Sequence, residues 1–220
     1  MNIRIRDINK NNILKFLHYK GSQIPVEFED LIDDYIELVK ENYIGKYTYK
    51  IFLKGDESLK SIFIGDDIWN LLETSTDVIL MAVTLGQEIE KYINRVSYID
   101  LTKSVVLDAV ASAAAESLTN DINEVLEKRY KGRYLTDRFS PGYGDMPIEV
   151  QRNFLELLDA RRQIGLWTSS SGIMEPRKSL TAIIGISNNE QMHRHRGCSL
   201  CSLYRECDFV NRGKRCGYEG

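Results

Sequence analysis

From Asp100 to about Tyr130 the chain carries one unbroken helical pattern, and no other feature restricts the fold as much. Some thirty residues of helix make a rod of about 45 Å, longer than most small domains are wide. Asp100 stands where an N-cap is expected. The alanines at 111, 113, 114 and 115 are small enough for another layer to approach the helix backbone closely. Within this run Asp108, Ser112 and Glu116 recur every four residues, so they form a polar stripe on one face. A polar stripe among alanines fits a buried, purposeful Glu116 better than a solvated surface.

The remaining segments alternate without regular βαβ order. Residues 7–20 space Ile8, Ile13, Leu14, Phe16 and Leu17 as a helix that stops at Lys20-Gly21, and the run after Pro25 repeats Leu31, Ile32, Tyr35, Ile36 and Val39 as a second amphipathic helix. Tyr47 to Leu53 and Leu59 to Ile64 are strand-like around the turn residues Gly55-Asp56, so a strand pair is expected there. Residues 67–74 suit a helix. Asp77 to Leu85 is almost wholly apolar, as in a strand covered on both faces, and a helix from Gln87 to about Arg95 follows. A strand at Tyr134 to Arg138, a helix with Pro147 in its first position ending near Arg161, and strands at 163–167 and 180–187 complete the pass. These elements predict an α+β domain around a central mixed or antiparallel sheet with long helices, over residues 1–190, with a Cys-rich tail over 191–220.

Apolar residues at 43% and charged residues at 28% belong to a folded, water-soluble chain. A net charge of -3 argues against a nucleic-acid partner, which would call for clustered Lys and Arg. The absence of a signal-like or membrane-spanning apolar run points away from the membrane and to a cytoplasmic protein.

Chemistry concentrates at Arg138-Phe-Ser-Pro-Gly-Tyr143. Pro141-Gly142 between a strand and a helix predicts a type II turn with positive φ at the glycine. Arg138 can fork onto a carboxylate, and Tyr143 offers a ring and a hydroxyl. Spacing alone favours a structural turn whose arginine pairs with a neighbouring acid.

The segment RFSPGYGDMPIEVQRNFLELLDARRQIGL resembles the core of the activation domain of cobalamin-dependent methionine synthase, where an Arg-x-x-x-Gly-Tyr loop holds S-adenosylmethionine. TLGQEIEKYI and LDAVASAAAES are similar to that family's Thr-Leu-Gly turn and small-residue helix. MEPRKSLTAIIGIS is similar to its Pro-x-x-Ser-x-Ser strand, and FLHYKGSQIP to the start of members that occur as short separate proteins. The resemblance runs from about residue 12 to about residue 188. It implies that Arg138 holds the ligand carboxylate, Glu116 faces the amino or sulfonium end, Tyr143 lines the pocket and Ser140 meets the adenine. Ser179 and Thr181 would supply hydroxyls. Where the family often has a ligand-contacting aromatic near position 184, this chain has Ile183-Ile184.

The resemblance further implies support for reductive methylation of the cob(II)alamin form of a methionine synthase, a corrinoid held by the partner protein, and a flavodoxin or ferredoxin as electron donor. Two other readings are an activator of a different corrinoid methyltransferase and a zinc-binding adaptor with a vestigial pocket. Only positioning of a methyl group is asked of the chain, which suits the lack of an evident catalytic triad.

All four cysteines fall in the tail, as C-x2-C-x5-C-x8-C at Cys198, Cys201, Cys207 and Cys216. In a reducing compartment this clustering predicts a metal site rather than disulfides, either tetrahedral zinc or an iron–sulfur cluster. Spacing does not separate the two, although a one-electron cluster would suit reductive activation. His193 and His195 lie just upstream and are not needed as ligands when four thiols are present.

Overall fold

The computed structural model describes residues 4–19 and 24–190. In chain order the elements are α1 (Lys10–Phe16), α2 (Val26–Asn42), β1 (Lys46–Leu53), α3 (Asp66–Leu71), β2 (Asp77–Thr84), α4 (Gln87–Ser97) and α5 (Leu101–Arg129). They continue with β3 (Tyr134–Leu135), α6 (Gln151–Leu158), α7 (Ala160–Ile164), β4 (Trp167–Thr168), β5 (Met174–Glu175) and β6 (Ser179–Ser187).

Four strands form an antiparallel sheet in the order β1-β2-β6-β3, and β4 and β5 make a small separate hairpin. Because side chains alternate across a strand, the apolar run of β2 supplies two cores. Ile79, Met81 and Val83, with Ala182, Ile184 and Ile186 of β6, face α1, α2, α4 and α5. Val78, Leu80 and Ala82, with Ile183, face α3, α6 and α7. Both faces are therefore covered, which explains an uninterrupted hydrophobic strand in an antiparallel sheet. The fold is α+β, with helices on either side of an antiparallel sheet. No helix among the described residues is long and apolar enough to cross a membrane.

The central rod forms as expected. The Asp100 carboxylate accepts the Lys103 N–H at 3.0 Å, and α5 runs 29 residues with Ala111, Ala113, Ala114 and Ala115 buried. The N-terminal segment is fastened across its far half, where the Arg6 guanidinium pairs with Asp121 at 2.5 Å and Glu124 at 2.7 Å. Hydrogen bonding from Arg6 holds the Glu124 carboxyl below its usual range.

Several expected elements differ. Leu59–Ile64 is not a strand. The Asp56 carboxylate accepts the Ser58 N–H at 2.9 Å and caps a 3-10 helix over Glu57–Ser61, which buries Leu59 and Ile62 at helical spacing. β1 pairs with β2 instead. The strand expected over 134–138 shortens to Tyr134–Leu135. Thr136 Oγ1 there accepts the Gly185 N–H at 2.8 Å, and pairing resumes only at Phe139 opposite Ile183.

Pro147 precedes the helix in an extended conformation rather than opening it. The helix ends at Leu158 because Asp159 adopts a left-handed φ of 54°. A second helix, α7, then occupies 160–164, spanning the expected helix end near Arg161 and the start of the strand expected over 163–167, and only Trp167–Thr168 is extended. The helix stop at Lys20-Gly21 and the whole Cys198–Cys216 set, with His193 and His195, lie outside the described residues.

Candidate functional site

The turn after β3 is built as its composition dictates. Tyr143 N–H donates to the Ser140 carbonyl at 3.0 Å, closing a four-residue turn, and Gly142 sits at φ 86°, which an L side chain resists. The Ser140 hydroxyl donates to the Thr181 carbonyl at 2.7 Å and ties the turn to β6. Tyr143 is 69% exposed, its ring edge-on to Phe139 with centroids 6.5 Å apart.

Arg138 points the other way, to α5. Its Nη2 donates to Asn120 Oδ1 at 2.8 Å and lies 3.6 Å from Glu116 Oε2. Nη1 is buried with no hydrogen-bond partner. A covered guanidinium nitrogen without an acceptor is costly, and it is the donor that an incoming carboxylate would satisfy once its cover shifts.

The four-residue stripe on α5 is thus real and one residue longer than the sequence reading had it. Asp108, Ser112, Glu116 and Asn120 face two cations brought from the sheet side. Lys178, only 11% exposed, places Nζ 2.8 Å from both Asp108 Oδ1 and Ser112 Oγ. Arg138 covers the Glu116–Asn120 half. Asn120 was visible in principle, since it continues the interval of four. Lys178 carried no spacing signal at all, because only the register of β6 sets it opposite Asp108.

The predicted residues do not all meet. Arg138 and Glu116 are in contact, and Ser140 and Tyr143 form the adjoining turn. Ser179 and Thr181 lie on the opposite face of β6 from Ile184 and are engaged internally. Ser179 Oγ reaches Thr84 Oγ1 at 2.8 Å and the Pro176 carbonyl at 2.6 Å, while Thr181 Oγ1 reaches Gln151 Oε1 at 3.1 Å. Ile184 is fully buried in the core beneath the helices.

The open volume lies toward the other end of the stripe. A cavity of about 820 Å³ separates α4, at Glu90 and Asn94, from the segment Ser169–Arg177. A smaller one of about 110 Å³ shares Glu90, Asn94 and Arg177 with it and reaches the Asp108–Lys178 pair. The Arg138–Tyr143 turn borders neither. Among the described residues no cluster of His, Cys, Asp and Glu is arranged to hold a metal.

The fold is a helix-covered antiparallel domain in which an arginine-bearing turn is held against a polar stripe of the long helix α5. Among solved structures the chain is similar to the MetH reactivation domain bound to AdoHcy, with 13% identity, 97% of this chain and 85% of that chain covered, and a TM-score of 0.60. At that identity the likeness is one of fold. No family model matches the sequence, and no curated protein does.

Proposed function

We propose that this chain binds S-adenosylmethionine at the Arg138–Tyr143 turn and supports reactivation of the cob(II)alamin form of a cobalamin-dependent methionine synthase. The observation that carries the reading is Arg138. It is set by the turn against Glu116 and Asn120 with its Nη1 buried and without an acceptor, in the fold of a reactivation domain. Arg138 would take the ligand carboxylate and Glu116 its amino group. Before the ligand arrives the two charges partly neutralise each other, so binding exchanges one ion pair for two. Tyr143, exposed beside the turn, would cover the ligand, and the Ser140 backbone would meet the base.

The ligand supplies an activated methyl on a sulfonium, so the chain needs no nucleophile of its own; its residues orient and shield. In this reading the corrinoid and the electron donor, a flavodoxin or ferredoxin, come from partners. The tail cysteines Cys198, Cys201, Cys207 and Cys216 hold zinc or an iron–sulfur cluster in a unit of their own over 191–220. Calorimetric titration of S-adenosylmethionine into the wild type and Arg138→Ala tests the core of this. Binding by the wild type that Arg138→Ala loses supports it, and equal binding or none by either refutes it.

A second reading, a zinc-binding adaptor with a vestigial pocket, is favoured by the inward hydrogen bonds of Ser179 and Thr181 and the buried Ile184. The same titration separates the two.

A further inference from the structure

The turn that bears Tyr143 protrudes, yet it is fastened at its far end by a contact that neither segment announces. Asp145 lies two residues beyond Tyr143. Its carboxylate accepts the backbone N–H of Asp66 at 2.5 Å and of Asp67 at 3.2 Å, the first residues of α3. Asp67 returns the bond, its own carboxylate accepting the Asp145 N–H at 3.2 Å. α3 has no side-chain cap of its own, because its N-cap is Gly65. Its first two N–H groups are satisfied from 79 and 78 residues away, by a carboxylate whose charge also suits the positive end of a helix.

Both neighbouring glycines are needed for the approach. A Cβ on Gly65 would strike the Asp145 carboxylate, and a Cβ on Gly144 would strike that of Asp67. Gly142 N–H to the Met146 carbonyl and Met146 N–H to the Tyr143 carbonyl, each 3.0 Å, carry the restraint back through the turn. Met146 itself is buried in the second core.

We infer that Asp145 and Asp67 are positioning residues of the ligand turn, a reciprocal clasp that fixes the Ser140–Tyr143 turn on α3 before ligand arrives. The inference rests on the proposed ligand reading. An exposed turn left free would have to be ordered on binding, and a turn already fixed avoids that cost.

The test titrates S-adenosylmethionine into the full-length wild type, Asp145→Ala, Asp145→Asn and Gly144→Ala, with amide hydrogen exchange on each. Ile32→Ala, a substitution in α2 within the core on the other face of the sheet from Met146, and Leu126→Ala in that same core serve as controls for stability alone. Asparagine also accepts at N-caps, so Asp145→Asn is expected to bind within about threefold of wild type, and Asp145→Ala to lose about tenfold. Gly144→Ala, which displaces Asp67, should lose affinity similarly and stands in if Asp145→Ala does not fold.

In the weakened variants the Gly142, Tyr143 and Met146 amides should exchange faster while β2 and β6 stay protected. Wild-type affinity in Asp145→Ala or Gly144→Ala, or a loss no larger than that of the two controls, overturns the inference. If the wild type itself does not bind, the ligand reading fails. The clasp is then judged by exchange alone, where unchanged protection of those three amides overturns it.

Discussion

Replacing Glu116 by glutamine removes a charge and keeps the shape. In the free protein the loss is small. Glu116 Oε2 stands 3.6 Å from Arg138 Nη2, with the side chains 35% and 21% exposed. Two unit charges at that distance attract by about 1 kcal/mol in water and about 5 kcal/mol at an effective dielectric of 20. Solvent screening at this exposure, and the second acceptor at Asn120, place the contribution near the measured range of roughly 0.2–1 kcal/mol. The melting temperature should therefore fall by no more than about 2–4 °C.

In the complex the same oxygen is proposed to receive the ligand's ammonium, and a charge-assisted hydrogen bond there contributes about 1.5–3 kcal/mol. Subtracting the Arg138 pairing that binding disrupts leaves a net loss of about tenfold in affinity for Glu116→Gln. Thermal denaturation and calorimetric titration with S-adenosylmethionine give both numbers on one sample. Unchanged affinity would remove Glu116 from the site. A stability loss of several kcal/mol would show that the pair behaves as a buried one and that the exchange argument is wrong.

Two other outcomes follow from contacts outside the turn. The Glu124 carboxyl is held below its usual range by hydrogen bonding from Arg6, so the contact contributes stability above the ordinary glutamate value and loses it as pH falls through the depressed one. Once the intrinsic pH dependence of amide exchange is divided out, protection of the Ile5 and Arg6 amides should fall on acidification, and Arg6→Ala should abolish that dependence; pH-independent protection in the wild type refutes it. For the tail, anaerobically purified protein should be brown with broad visible absorption if Cys198, Cys201, Cys207 and Cys216 hold a cluster, or colourless with one zinc per chain otherwise. Metal-free protein after either preparation would refute both.

The fold was legible where a single local rule acts. Asp100 and the alanine-rich face announce α5, and the unbroken apolar run of β2 announces a strand covered on both sides. Legibility failed where a capping side chain competes with pattern. Leu59–Ile64 has strand composition, but Asp56 caps it into a 3-10 helix, and the spacing of Leu59 and Ile62 then serves the core as a helix would. At Thr136 a side chain takes the place of a ladder partner, so five strand-like residues yield only two paired ones. Asp159 divides one predicted helix in two by turning left-handed at φ 54°, a conformation that no composition rule for a non-glycine residue announces.

The site divides along the same line. The turn geometry follows from Pro141-Gly142, and the stripe follows from a spacing of four, so both can be read before folding. What cannot be read is which face of β6 each hydroxyl takes, since a strand shows its residues to alternate sides and only the register decides. Ser179 and Thr181 share a face with Ile183, while Lys178, just before the strand, meets the α5 stripe. Arg138 and Lys178 therefore neutralise the stripe in two halves, Glu116 with one and Asp108 with the other. Of the two cations, only Arg138 keeps a buried donor without an acceptor. If the proposed ligand reading holds, that asymmetry favours an anionic group at the turn over the wider cavity beyond Asp108, and Arg138→Ala is then expected to weaken binding more than Lys178→Ala.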